Sequence, residues 1–581
     1  MTSTIDSVHA PAARTPTPRA DTPAPKRGRL SVANLSVAFR RNGILHQVVH
    51  DVSFCLEPGQ CVAIVGESGS GKSVTARSIV GLTGKNSVVD AQSILLDGDD
   101  LRAATKRQWR RIRGRRIGFI LQDALVSLDP LRPVGKEIAE ALALHHWGNR
   151  RQRAAKVIDL LRAVGVPAPE NRARQRPDEL SGGLRQRALI ASALALDPEI
   201  IIADEPTTAL DVTVQAQVLA LLAETKERGV SVILISHDLS VVAHLADHIL
   251  VMKGGRVVES GSADQVLNDP RHEYTRSLIN AVPSELTRGK RLGAAPSDTA
   301  TTPAADAVAV SIAPRPTDHD CSGPVLQAVD LVKRFTTPDG TVTTAVDHVS
   351  FALERGTTLG IVGESGSGKS TTARLALALS SLDSGTVTLL GQDWSSLSEP
   401  RRRALRREIA VVYQDPLSSF DPRWNAERIL LDSLTDAAGL STAAKKARVV
   451  ELARQVGLPQ EILQRFPLNL SGGQRQRIAI ARALAPNPSV IVLDEAVSAL
   501  DVSIQAQILD LLVDLQRQRG LSYLFISHDL GVINHLSDQV LVMKDGVVVE
   551  RGTPDDIFNR PAHPYTRELI SSLPDHPRRN P

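Results

Sequence analysis

The chain has 581 residues, room for roughly four structural units at about 150 residues apiece. Its composition, 42% hydrophobic and 23% charged, is that of a globular protein, and a net charge of +4 is too even a balance to argue for nucleic acid as a partner. The three cysteines, Cys55, Cys61 and Cys321, include no C-x-x-C pair, so buried thiols are expected rather than a zinc or iron–sulfur centre, and no apolar run reaches the roughly 18 residues of a membrane span.

Residues 1–29 are rich in Pro, Ala, Thr and Arg, lack the apolar core of a signal peptide, and read as a disordered tail. The apolar run CVAIV (61–65) then predicts a strand leading into GESGSGKS (66–73), which fits the phosphate-binding pattern G-x-x-x-x-G-K-[ST]. Gly66, Gly69 and Gly71, with Ser68 among them, let the backbone curl so that successive N–H groups face one anion. Lys72 opens the following helix and reaches the β/γ-phosphates, and the Ser73 hydroxyl takes a position on Mg²⁺. The basic run at 106–116 predicts a solvated helix face. From about 123 to 195 helical patterns dominate, which predicts a helical subdomain inserted into the α/β unit. Within it LSGGLRQR (180–187) places Ser181, Gly182 and Gly183 before a basic helix, another N-terminus able to hold an anion. The strand at 199–204 ends on Asp204, and Glu205 follows it. A carboxylate there can hold Mg²⁺, and its neighbour can polarise a water attacking the γ-phosphate. A helix over 212–229 and a strand run over 231–238, containing His237, complete an alternation that argues for a largely parallel sheet with nucleotide at its loop-bearing end.

Residues 284–324 are polar, rich in Ala and Pro, and read as a flexible linker. After it the plan repeats. GESGSGKS recurs at 363–370, supplying Gly363, Ser365, Gly366, Gly368, Lys369 and Ser370 behind the strand TLGIV (358–362). The basic run recurs at 401–408, the helical insertion at 415–485, LSGG as Ser471, Gly472 and Gly473, and the acidic pair as Asp494 and Glu495. The pairs Lys72/Lys369, Gln122/Gln414, Ser181/Ser471, Glu205/Glu495 and His237/His528 lie at nearly constant separation. The expected domains are 30–283 and 325–575, with a tail at 576–581.

With these motifs in this order, both halves resemble the ATP-binding-cassette ATPases almost throughout. The resemblance implies an α/β fold: tandem P-loop NTPase domains, each with the inserted helical subdomain and a C-terminal extension. It implies ATP and Mg²⁺ as ligands, with Ser73, Gln122 and Asp204, and Ser370, Gln414 and Asp494, around the metal. Gln122 and Gln414 match the Q-loop, which also touches the membrane partner; Asp211 and Asp501 match the D-loop; His237 and His528 match the switch histidine; Phe39 and Phe335 stand where an aromatic stacks on adenine. It also implies that the halves face head to tail. Site one would join Lys72, Ser73, Asp204, Glu205 and His237 to Ser471 and Gly473; site two would join Lys369, Ser370, Asp494, Glu495 and His528 to Ser181 and Gly183. Two departures fall on site two, Leu184 in place of Gln and Ala496 where the first half has Pro206, and they suggest that site two is the slower.

The segments HEYTRSLINAVP (272–283) and HPYTRELISSLP (563–574) resemble the C-terminal extension of the oligopeptide/dipeptide importer ATPases, without the cysteine cluster that some members carry there. That resemblance implies a peripheral protein on the cytoplasmic face of the cell membrane, working with two transmembrane permeases and an extracytoplasmic solute-binding protein, and never touching the solute itself. The implied cargo is di- or oligopeptides. Glutathione, nickel chelates or another solute such as a sugar are alternatives, and a soluble cassette protein acting on ribosomes is a more distant one.

Overall fold

The computed structural model describes residues 28–122, 127–207, 210, 212–284, 287–293, 323–336, 340, 342–434, 439–498 and 500–572. Asp211, Cys321, most of the N-terminal tail, the linker from 294 to 322 and the end of the chain lie outside the described residues.

Each half is built on a six-stranded sheet with one strand order. In the first half it runs Arg256–Ser262, His248–Lys253, Cys61–Val65, Ser231–Ser236, Ile200–Asp204, Ile117–Ile120. The last five are parallel and only Arg256–Ser262 is antiparallel. Ile64 pairs with both Ile235 and Leu250, at the middle of the sheet. These strands read as unbroken apolar runs because both faces are covered. Val62 and Ile64 enter one core with the P-loop helix Lys72–Ile79, while Cys61, Ala63 and Val65 enter another with the helical region. The second half repeats the order with Ile409–Val412, Val490–Asp494, Ser522–Ile526, Thr358–Val362, Gln539–Lys544 and Val547–Gly552.

Each half also carries a second, antiparallel sheet that the reading of a single parallel sheet did not anticipate. Leu30–Arg41 lies between Ile44–Leu56 and Ser93–Leu96 in the first half, and Leu326–Thr336 between Val342–Leu353 and Ser384–Leu389 in the second. The pairs are long hairpins interrupted by register shifts, and these bulges blur the alternation by which a strand is recognised. Their apolar face closes the core over the P-loop helix.

The inserted helices, Val134–Leu144, Arg150–Ala163 and Gly182–Leu194, share one continuous core with a face of the parallel sheet. Two further expectations, on the cysteines and the linker, need correction, and that of solvated basic helices holds with an addition. Cys61 is buried but Cys55 is exposed, because it alternates with Phe54 and Leu56, whose side chains fill the core. The basic helices Lys106–Ile112 and Glu399–Arg406 bury no residue, yet arginines in and beside them fasten the chain: Arg113 donates to the carbonyls of Val80 and Gly81, and Arg406 to that of Leu377. The linker expected to start at 284 is held at its start. Arg291 pairs with Asp514 at 2.6 Å, the N–H groups of Leu292 and Gly293 donate to Asp510, and Leu292 is buried in the core of the second half.

Candidate nucleotide-binding sites

The motif-bearing loops of each half leave four adjacent parallel strands at their C-terminal ends. The P-loop follows Cys61–Val65, His237 follows Ser231–Ser236, Asp204 and Glu205 end Ile200–Asp204, and Gln122 follows Ile117–Ile120. This is the crevice in which open α/β sheets bind ligands.

The P-loop curls as its glycines require. Gly66 has φ 147°, and a Cβ there would run into the Met252 carbonyl; Gly71, at φ 98°, precedes the helix and would meet the Val48 carbonyl oxygen at 2.9 Å. Lys72 Nζ donates to the carbonyls of Gly66 at 2.7 Å and Glu67 at 2.8 Å, and Lys369 Nζ does the same with Gly363 at 2.8 Å and Glu364 at 2.7 Å. Burial holds the Lys72 ammonium below its ordinary pKa, against the pull of Glu205 and Asp501.

Ser73 Oγ donates to Asp204 Oδ1 at 2.7 Å, and Ser370 Oγ to Asp494 Oδ1 at 3.0 Å. Asp204 is fully buried, its Oδ2 has no hydrogen-bond partner, and the nearest cation is Arg77 at 3.9 Å. Burial raises the carboxyls of Asp204 and Asp494 above the usual range. An unpartnered carboxylate oxygen beside a serine hydroxyl is a pair of hard oxygen donors, and such a pair fits Mg²⁺.

Glu205 and Glu495 sit in the left-handed region, at φ 49° and 51°, a conformation that costs a non-glycine residue free energy and is often found at functional sites. Their N–H groups donate to Ile235 and Ile526, both at 2.9 Å, which keeps the turn against the neighbouring strand. Gln122 Nε2 donates to Glu205 Oε2, and Gln414 Nε2 to Glu495 Oε2, both at 2.8 Å. His237 Nδ1 lies 3.4 Å from Glu205 Oε1, and His528 Nδ1 lies 3.5 Å from Glu495 Oε2. Burial opposes the charge on both histidines, but the glutamates outweigh it and raise their pKa values. The hydrogen bond with His528 holds Glu495 below the usual range. Each glutamate is thus gripped by its glutamine and histidine, and in this arrangement the glutamines address the glutamate rather than the neighbouring aspartate, Asp204 or Asp494.

The halves touch at these loops. Ser68 N–H donates to Asp501 Oδ1 at 2.9 Å, and Thr213 Oγ1 to Glu364 Oε1 at 2.7 Å, so each half reaches the opposite P-loop from the segment after its acidic pair. A cavity of about 310 Å³ between the halves is lined by both switch histidines, His237 and His528, and by Asp238 and Asp529 after them. Ser181 and Ser471 are exposed, and their hydroxyls cap the helices Gly182–Leu194 and Gly472–Leu484. Gly183 and Gly473 are packing positions as well, since a Cβ would press on Val214 at 2.9 Å and on Ile504 at 2.6 Å. The aromatics differ: Phe39 packs against the core below the antiparallel sheet, whereas Phe335 is 48% exposed with Lys333 Nζ 5.6 Å from its ring centre. Motif spacing does not reveal Tyr274 and Tyr565, which touch the P-loops from the extensions. The signal available was their recurrence within HEYTR and HPYTR.

The ABC transporter family matches residues 49–208 and 346–498, and the family described as oligopeptide/dipeptide transporter, C-terminal region, matches 258–306 and 549–581. Relatives match over nearly their whole length. The oligopeptide transport ATP-binding protein OppD of Mycobacterium tuberculosis is 43% identical, covering 94% of this chain and 98% of that protein. The glutathione import ATP-binding protein GsiA of Pectobacterium atrosepticum is 43% identical, covering 95% and 90%. The peptidoglycan transport ATP-binding protein YejF of Agrobacterium fabrum is 42% identical, covering 94% and 96%. With the P-loop, acidic pair and switch histidine assembled in both halves, the chain belongs to the ABC transporter ATP-binding family, as a tandem ATPase of the branch that carries the oligopeptide/dipeptide C-terminal region.

Proposed function

We propose that this tandem ATPase powers uptake of di- or oligopeptides, or of peptide-like solutes such as glutathione, through two membrane permeases served by an extracytoplasmic solute-binding protein. The observation that carries the reading is the pair of complete catalytic sets, each followed by an extension of the oligopeptide/dipeptide type. No helix among the described residues is long and apolar enough to cross a membrane; in this reading the chain docks on the permeases at the cytoplasmic face.

Two ATP molecules close the halves. Lys72 and Ser73 in site one, and Lys369 and Ser370 in site two, bind the phosphates, and the signature of the opposite half (Ser471 and Gly473, or Ser181 and Gly183) completes each site only on closure. Ser73, Asp204 and Gln122 in site one, and Ser370, Asp494 and Gln414 in site two, would hold Mg²⁺, which would neutralise phosphate charge. Glu205 and Glu495 take the proton of the attacking water, and His237 and His528 orient the γ-phosphate. Phe39 and Phe335 receive adenine. The helical subdomains carry the motion to the permeases, and site two turns over more slowly than site one.

Affinity purification of the chain from detergent-solubilised membranes tests the assignment. Recovery of two permeases is expected, and recovery of ribosomes in their place would sink it. Binding of peptides, glutathione and nickel chelates to the partner binding protein then selects the cargo.

A further inference from the structure

The Glu67 N–H, at the start of the first P-loop, donates to the hydroxyl oxygen of Tyr274 at 3.2 Å. Tyr274 comes from the extension, 207 residues further along the chain. The second half repeats the contact: the Glu364 N–H donates to the Tyr565 hydroxyl at 3.1 Å. Both rings are buried, 7% and 3% exposed, and each lies under an ammonium group. Lys253 Nζ is 4.6 Å from the Tyr274 ring centre and Lys544 Nζ is 4.4 Å from that of Tyr565, within cation–π range. The turns after these lysines hold the same loops from the other side, where Gly255 N–H donates to the Ser70 carbonyl and Gly546 N–H to the Ser367 carbonyl, both at 3.1 Å.

Each tyrosine is aimed by its own helix start. The Tyr274 N–H donates to His272 Nδ1 at 3.1 Å, and the Tyr565 N–H to His563 Nδ1 at 3.2 Å. A buried or half-buried glutamate anchors the residues just before: Glu259 accepts from Arg271 and His272, and Glu550 from Ala562 and His563. The histidine and tyrosine of HEYTR and HPYTR therefore do one job in two steps, the first capping the helix and the second reaching the P-loop.

We propose that Tyr274 and Tyr565 are positioning residues of the ATPase, each hydroxyl fixing the first turn of the P-loop in its own half so that the loop is pre-set for the triphosphate. Glu67 supplies both ends of the link: its N–H goes to Tyr274 and its carbonyl holds Lys72 Nζ. Holding one orients the other, because they flank a single residue in a tight curl. In the first half the next N–H along, that of Ser68, is held by Asp501, so the extension and the opposite half grip consecutive residues of one loop. The extension thereby becomes part of the nucleotide site, in addition to marking the branch of the family. The inference rests on the ATPase assignment and not on the cargo.

The test is Tyr274→Phe with Tyr565→Phe in the full chain, singly and together, which keeps the ring and its cation–π contact and removes only the oxygen. A lost neutral hydrogen bond corresponds to about a two- to tenfold effect. The expected result is a KM for MgATP, and a Kd for trinitrophenyl-ATP, raised about three- to tenfold in the double variant, with kcat lowered less and Tm unchanged. Hydrogen exchange should quicken in the 66–73 and 363–370 segments while the extension helices keep their protection. Affinity within twofold of wild type, or a fall in Tm that tracks the loss of affinity, would overturn the positioning role. A wild-type chain that neither binds nor hydrolyses ATP would instead overturn the nucleotide sites themselves.

Discussion

The two halves match at their P-loops and acidic pairs and differ in what supports them. Lys72 and Lys369, Ser73 and Ser370, and Glu205 and Glu495 hold the same partners at distances that agree within a few tenths of an ångström. The signatures do not match. Ser471 and Gln474 form a reciprocal capping box, in which the Gln474 N–H donates to Ser471 Oγ at 3.2 Å and the Ser471 N–H donates to Gln474 Oε1 at 3.1 Å. At the first signature the Leu184 N–H still reaches Ser181 Oγ, at 3.4 Å, but Leu184 has no side-chain acceptor to return the bond, and its side chain packs into the core. Supports differ between the halves elsewhere too. Asp510 and Asp514 hold the start of the linker on the second half, where the matching positions of the first half are Ala220 and Glu224. The difference teaches that the supports of the two halves can diverge while the contacts at the P-loops and acidic pairs stay the same.

The largest expected effect compares the two glutamates proposed as bases. Glu205→Gln should lower steady-state ATP turnover by about a hundredfold or more, the usual worth of a general base, and Glu495→Gln by clearly less. Equal losses would end the idea of unequal sites. Asp501→Ala should come next. Its side chain does not cap the helix Val502–Arg519 that follows, so the fold should tolerate the change, while loss of its bond to the Ser68 N–H should lower turnover on the order of tenfold. Turnover unchanged in this variant would show that the inter-half contact is not needed for closure.

Leu184→Gln restores the missing half of the capping box. It should raise stability by about 0.5 to 1 kcal/mol in chemical denaturation and, measured in the Glu205→Gln background, speed site two. Gln474→Leu should do the reverse to site one, and a stability gain without a change in rate would separate the cap from the chemistry. The smallest effect is one in which the halves should agree. Burial alone would raise Glu259 and Glu550, but their hydrogen bonds outweigh it and hold both below the ordinary glutamate value of 4.5. A depressed folded pKa gives stability that is present above the unfolded value and lost as pH falls through the folded one. The protection factors of both extension helices, taken relative to intrinsic exchange at each pH, should therefore be full above the ordinary glutamate value and fall together as pH drops below it. A fall in one helix alone would show that the two anchors are not equivalent.

Most of the chemistry was legible as local pattern. GESGSGKS and the acidic pairs announce themselves because phosphate and metal binding demand particular atoms at fixed offsets along one loop, whereas His237 and His528 were singled out only through the family resemblance. The parallel strands were legible as apolar runs, since burial on both faces leaves no room for polar residues. The antiparallel sheets were not, because their register shifts break the two-residue period. Cys55 was misread for a related reason, as composition says nothing about which side of a strand a residue faces. The held start of the linker was also hidden, since what holds it is a pair of aspartates more than 200 residues away.

Residue types and spacing therefore suffice to identify two ATPase halves and to nominate the groups proposed to work on ATP, because each motif is short and its chemistry is local. They do not tell which side chain meets which. That Glu205 is gripped by Gln122 and His237, that Asp501 of one half reaches the P-loop of the other, and that the extensions come back to hold the same loops through Tyr274 and Tyr565 all depend on how four strands and two halves pack. Contacts of that kind join residues far apart in the chain, and only packing brings them within hydrogen-bond reach.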